Sequence, residues 1–280
     1  MPWTFAHPAA ILPLRCLGWG RIPLCALVIG SLSPDFAYYL NQLPWARLSH
    51  SWLGLFVFCL PLGGLVLLLL NLSRDALINL LPEPHRSAIA YASPPAAHGK
   101  NAATTVAAWA WIALGLMLGA ASHIAWDSLT HASSAVVKAL PILQAPVFQT
   151  GARQWHVYHL LQHASSLLGV TALLLVYRRW LAKSLPLLDT SPGKQATAMR
   201  RASTASQPNP IRYVLLAASI FAACTIGYLF ERHGKPWVLQ PQDLNLFRIA
   251  VISTNAFALF ILASAYGLRM WEQRNTTGKS

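Results

Sequence analysis

Charge is scarce in this chain. Only 10% of its 280 residues are Asp, Glu, Lys or Arg, against about 25% in an average soluble domain. That is too little to coat a water-exposed surface, so a soluble enzyme and a disordered chain are both disfavoured. Cysteine is equally uninformative as a framework. Cys16, Cys25, Cys59 and Cys224 lie in apolar stretches and form no Cys-x-x-Cys pair, which argues against a disulfide scaffold or a thiolate zinc site and leaves buried free thiols. No P-loop, no Gly-x-Gly-x-x-Gly fingerprint and no internal repeat is present. Met1 to Arg15 lacks the basic start of a secretory signal peptide and reads as part of the mature protein. Acids are the rarest charge of all, with 8 Asp plus Glu against 21 Lys plus Arg.

What the chain has in quantity is hydrocarbon. Hydrophobic residues make up 55% of it, and the mean hydropathy is +0.44. Five apolar runs, Trp52–Leu72, Val106–Trp126, Val157–Tyr177, Tyr213–Phe230 and Ile249–Leu268, reach the roughly 20 residues a helix needs to cross a bilayer. Before them, two shorter apolar stretches, Pro8–Gly18 and Ile22–Leu32, flank Gly18-Trp19-Gly20-Arg21 and Pro23, a turn signal. They predict a short helical hairpin whose arms fall below a full span. The alternative, one span from Ile22 to Leu43, puts Ser33-Pro34-Asp35 inside the membrane. The expected fold class is therefore all-α: a polytopic helical membrane protein with a short N-terminal helical hairpin and about five transmembrane helices. Three regions are expected: residues 1–180 as a helical membrane domain, 181–212 as a basic flexible linker, and 213–280 as a two-helix transmembrane tail.

The basic residues divide unevenly when assigned to alternate sides of these spans: 15 of 21 fall on one side and six on the other. Cytoplasmic loops collect Lys and Arg, so the first side, with the C-terminus, is expected in the cytoplasm. The excess of positive charge is then topological. The basic stretch Arg178–Arg212 has few aromatics to stack on bases, and attraction to anionic lipid explains it at least as well. Nucleic acid is not expected as a partner; membrane lipid is.

On this map the His and Asp residues gather. His7 precedes the first hairpin arm and Asp35 follows the second. His50 precedes the Trp52 span, His123 and Asp127 close the Val106 span with His131 one turn on, and His156, His159 and His163 open the next. All fall at the outer ends of their elements. His123 and Asp127, like His159 and His163, are four apart and share one helix face. Imidazole and carboxylate suit Zn²⁺, and also Fe²⁺ or Mn²⁺. With no Cys among them, such ligands favour a catalytic over a structural ion. A single His at a helix end is more often a solvated or capping residue; Asp35 in Ser-Pro-Asp reads equally as a turn. Yet carboxylates beside hydrocarbon are costly and usually mark function.

Several of these stretches also resemble a family. Met1-Pro2-Trp3-Thr4-Phe5-Ala6-His7-Pro8, Gly30-Ser31-Leu32-Ser33-Pro34-Asp35-Phe36, Ser49-His50-Ser51, Ser122-His123-Ile124-Ala125-Trp126-Asp127 and Tyr158-His159-Leu160-Leu161-Gln162-His163 look like bacterial membrane proteins grouped as domain of unknown function 4184. That layout is similar to a broader group of membrane-bound metal-dependent hydrolases. The resemblance implies a ligand core of His7, Asp35, His50 and Asp127, with His123 and His163 nearby as catalytic residues or as further ligands. The expected activity is hydrolysis of an ester or phosphoester, with a lipid-linked substrate suggested by location alone, at the outer face of a bacterial inner membrane. The same residues in an ion- or proton-coupled carrier, or in a scaffold tied by a structural metal, are the alternatives; carrier sites lie nearer the midplane. The oligomeric state is left open.

Overall fold

Each long apolar run becomes a helix, because a backbone surrounded by hydrocarbon must satisfy its N–H and C=O groups within the segment. The computed structural model describes residues 3–16, 21–93, 106–190, 210–233 and 244–277. The N-terminal arm is a 3-10 helix, Thr4–Ile11, passing into the helical turn Leu12–Cys16. The second arm is α1 (Leu24–Leu32), followed by the single turn Ser33–Asp35. Ile11 of the first arm packs with Ile22 and Leu27 of the second, as a hairpin requires; its tip, at 17–20, lies outside the described residues. Next come α2 (Trp52–Leu80), α3 (Val106–Thr130), α4 (Val157–Thr190), α5 (Pro210–His233) and α6 (Leu244–Thr277). All five are long and apolar enough to cross a membrane. The protein is an all-α polytopic membrane protein.

Two features depart from the sequence reading, and a third adds to it. The stretch after α3 holds two short helices, Ala135–Ala139 and Pro141–Gln144, and a small antiparallel ribbon of β1 (Pro146–Thr150) and β2 (Arg153–His156). Its tight turn carries Gly151 at a φ of 57°, where a residue lacking Cβ is at no disadvantage. The basic segment read as linker from 181 remains helical to Thr190, and Pro210–Arg212 already belongs to α5; residues 191–209, the rest of that expectation, lie outside the described residues. Of the cysteines, Cys59 is buried, whereas Cys25 and Cys224 are on the helix surface.

The chain forms two compact units. One takes Met1–Leu69 and His98–Arg179; the other takes Leu70–Ala97 and Trp180–Ser280. The boundary therefore falls inside α2 as well as near residue 180. The second unit packs Ala76 and Leu80 against Ala265 and Leu268. It also buries a charge pair. The Arg212 guanidinium lies 3.1 Å from Glu272 and donates to the Asn79 carbonyl at 2.8 Å, while the Asn79 amide donates to Glu272 at 2.6 Å. A guanidinium reaching its carboxylate inside apolar surroundings is far costlier to break than to keep. Glu272→Ala should lower stability by about 3 kcal/mol, read as an earlier thermal transition in detergent, with Arg274→Ala, on the exposed side of the same helix, as the control.

Candidate metal centre

The first unit gathers the His and Asp residues, and the local sequence explains how. Gly30 and Gly119 let α1 and α3 approach backbone to backbone: a Cβ on Gly119 would stand 2.2 Å from the Leu27 carbonyl oxygen, and one on Gly30 would stand 2.3 Å from that of Leu116. At this spacing the Ser31 carbonyl accepts a 2.7 Å hydrogen bond from His123 Nδ1. In Ser49-His50-Ser51 each residue has a separate task. The Ser49 hydroxyl donates to the Pro34 carbonyl at 2.7 Å, holding this turn against the Asp35 turn. His50 Nδ1 donates to the Ala46 carbonyl at 2.8 Å. The Ser51 hydroxyl caps α2 by accepting from the Gly54 N–H. Thr4 lies three residues before His7 on a 3-10 helix, where such positions eclipse, and its hydroxyl donates to Asp35 Oδ2 at 2.5 Å.

Five side chains converge. His7 Nε2 is 3.6 Å from Asp127 Oδ1. His50 Nε2 is 3.3 Å from Asp35 Oδ1 and 3.7 Å from Asp127 Oδ2. His123 Nε2 is 3.6 Å from Asp35 Oδ1 and 3.4 Å from Asp127 Oδ2. The rings of His7 and His123 stack at 3.6 Å. Two overlapping triads, His7–His123–Asp127 and Asp35–His50–His123, each bring their ligand atoms within 4.8 Å of one another.

These separations discriminate between two explanations. A charge-assisted imidazole–carboxylate hydrogen bond is about 2.7–2.9 Å long. Two ligands about 2.0–2.1 Å from a tetrahedral ion stand roughly 3.3–3.4 Å apart. The observed spacing of 3.3–3.7 Å fits the second. Proton accounting points the same way. A carbonyl only accepts, so His50 and His123 each carry their proton on Nδ1 and turn the lone pair of Nε2 toward the carboxylates. His7 Nε2, Asp35 Oδ1, His50 Nε2, His123 Nε2 and Asp127 Oδ1 are all buried without a hydrogen-bond partner. Lone pairs facing lone pairs at a buried point call for a cation, and Nδ1 fixed on a backbone carbonyl is the usual support for an imidazole ligand. The donor set therefore fits a divalent metal.

Burial holds the pKa of His7 down to about 4, which leaves a neutral ring.

Of the residues expected from sequence, His7, Asp35, His50 and Asp127 meet. His123, expected as a catalytic residue or a further ligand, meets them too, as a member of both triads. His163 belongs to neither triad: it is exposed and packs beside Trp155, with ring centroids 5.5 Å apart. His156 and His159 sit around the same Trp155 end of α4. His131 stands at the rim, its Nδ1 3.0 Å from the Asp127 carbonyl and its side chain 27% exposed. Thr4, Ser31 and Ser49 were not foreseen as supports. The eclipsed spacing of Thr4 and His7 was the one signal available for them.

A helical membrane protein with a buried His/Asp centre drawn from its hairpin, the turn before α2 and the end of α3 is the class these features define. The chain belongs to the family described as domain of unknown function DUF4184, whose model matches residues 1–266. No curated protein and no solved structure matches it.

Proposed function

We propose that the protein is a membrane-embedded, metal-dependent hydrolase of an ester or phosphoester. The observation that carries this reading is the set of five buried donor atoms, from four separate stretches of chain, that face one another with no hydrogen-bond partner. His7, Asp35, His50, His123 and Asp127 would hold the ion, zinc by donor type, with Fe²⁺ or Mn²⁺ also compatible. A bound divalent ion of this kind acidifies water and polarises an ester oxygen.

The chain's own residues do the rest. Asp35 and Asp127 supply the negative charge that retains a dication. Ser31, Ala46 and Thr4 fix the two rings and one carboxylate in place. His131, with its Nδ1 proton held on the Asp127 carbonyl, keeps Nε2 as the basic nitrogen. As the partly exposed titratable ring at the rim, it would take a proton from water and return it to the leaving oxygen. Side-chain exposure of 19% at His50 and 27% at His131 gives the centre a solvent-reaching rim, which favours catalysis over a sealed structural ion. The 15-to-6 distribution of basic residues supports a rim at the outer face of a bacterial inner membrane, with the basic loops and the C-terminus in the cytoplasm.

The test is hydrolysis of ester and phosphoester substrates in detergent micelles, with zinc, Mn²⁺ or Fe²⁺ restored after chelation. Activity should vanish with chelator and return with metal. His131→Ala should lower turnover by about 10²–10⁴-fold with metal content unchanged, and His163→Ala should alter neither. Metal-loaded protein inert toward both substrate classes would sink the hydrolase reading.

A further inference from the structure

Beside the centre lies a cavity of about 270 Å³. One wall is the N-terminal arm at Ala6, Ala9 and Ala10; the other is α4 at Ser165, Leu168, Gly169 and Ala172; Trp126 of α3 contributes an edge. Positions 165, 168, 169 and 172 form one face of a helix, and here that face is unusually small. Trp3 N–H donates to the Ser166 hydroxyl at 2.9 Å, holding the arm on α4. At Gly169 the contact is nearly direct, since a Cβ there would stand 2.9 Å from the Ala6 carbonyl oxygen. His7 also lines the cavity. The same residue thus belongs to a metal triad and to this apolar chamber.

The walls offer almost nothing polar. Ser165 donates its hydroxyl to the Gln162 carbonyl, which leaves the His7 ring as the polar feature. An apolar groove of this kind, open on the side where Leu168 is exposed, accepts hydrocarbon. Its volume is below the roughly 300–1,000 Å³ of sites that enclose a whole small molecule, so it suits one strand of a larger one. Its level is also telling. Positions 165–172 lie roughly 12–22 Å along α4 from Val157, in an apolar run whose other faces carry exposed Leu167, Leu174 and Leu175. At that depth the surrounding medium is acyl chain.

We infer that this cavity binds a fatty acyl chain of a membrane lipid, seated between the N-terminal arm and α4 with its head end at His7. The substrate of the centre is then a lipid, an inference that rests on the hydrolase reading above. The probe is a phosphatidylcholine carrying a diazirine in one acyl chain, included in phosphatidylcholine–phosphatidylglycerol vesicles holding the full-length protein. After illumination, cross-links should concentrate on residues 6–10 and 165–172. Ala172→Phe, which fills the chamber, should lower that labelling by at least about tenfold. Ala9→Phe fills it from the opposite wall and should do the same, and Leu175→Phe on the outer surface should not. Labelling spread evenly over the lipid-facing sides of all spans, or undiminished in both filling variants, overturns the inference. Metal content measured on the same samples separates the two readings. Concentrated labelling of metal-free protein supports the acyl-chain site while sinking the hydrolase. Dispersed labelling of metal-loaded protein sinks the acyl-chain site alone.

Discussion

Purified in detergent without chelator, the protein is expected to carry about one divalent ion per chain, and Asp127→Ala to lose it, with affinity falling by more than about 100-fold. Asp127 is the carboxylate that faces all three histidines of the centre. One of its oxygens faces His7, and the other faces His50 and His123. Its removal takes away one of the two charges that balance a dication and leaves three imidazoles gathered around Asp35 alone. Asp127→Asn tests charge separately from shape. It keeps an acceptor oxygen but loses the negative charge, so it should bind metal more weakly than the wild type and more strongly than Asp127→Ala. Elemental analysis of the purified variants gives the answer. Metal-free wild-type protein in good yield would remove the basis for the site.

The second large effect concerns the helix contact that supports the site. Gly119→Val should destabilise the first unit by more than about 3 kcal/mol and reduce bound metal with it. A side chain there must occupy the position of the Leu27 carbonyl oxygen, 2.2 Å from the Cβ, with the Ser31 nitrogen at 2.6 Å. Both are backbone atoms and cannot rotate away, so α1 and α3 must separate. The Ser31 carbonyl then leaves His123 Nδ1, and the ring loses the bond that directs Nε2 inward. Gly64→Val is the matched control, because a Cβ at Gly64 meets nothing within 4 Å. Thermal unfolding followed in parallel with metal content should show both falling in Gly119→Val and neither in Gly64→Val. Equal behaviour of the two variants would mean that the close approach is not what organises the centre.

Much of this was legible in the residues. Hydrophobic length alone located all five spans, because a bilayer imposes one dimension on every helix that crosses it. The ligand types and their placement at element ends gathered nine His and Asp residues, and the family resemblance implied His7, Asp35, His50 and Asp127 among them as the core. His163, which the resemblance implied near the core, lies outside both triads and beside Trp155. Spacing along a helix says that two side chains share a face, not which way the face turns, and on α4 it turns toward Trp155. The support of His123 was hidden because its partner is a backbone carbonyl on α1, and any residue type can supply one. Gly115-Leu116-Met117-Leu118-Gly119 did carry a readable sign of close helix packing. The extension of α4 to Thr190 and the burial of Arg212 had no such sign, since apolar periodicity is weak there and a lone Arg reads as solvated.

The separation of the centre's parts along the chain also has a consequence for how the protein is made. His7 and Asp127 are 120 residues apart. At about 5–20 residues per second of synthesis, the arm waits roughly 6–24 s for its partners. Thr4 and Asp35 can meet within the first hairpin, but His7 has no mate until the third helix has entered the bilayer. Insertion of α3 is thus the event that brings His7 its carboxylate partner, and a ribosome stalled before it would leave the centre without Asp127.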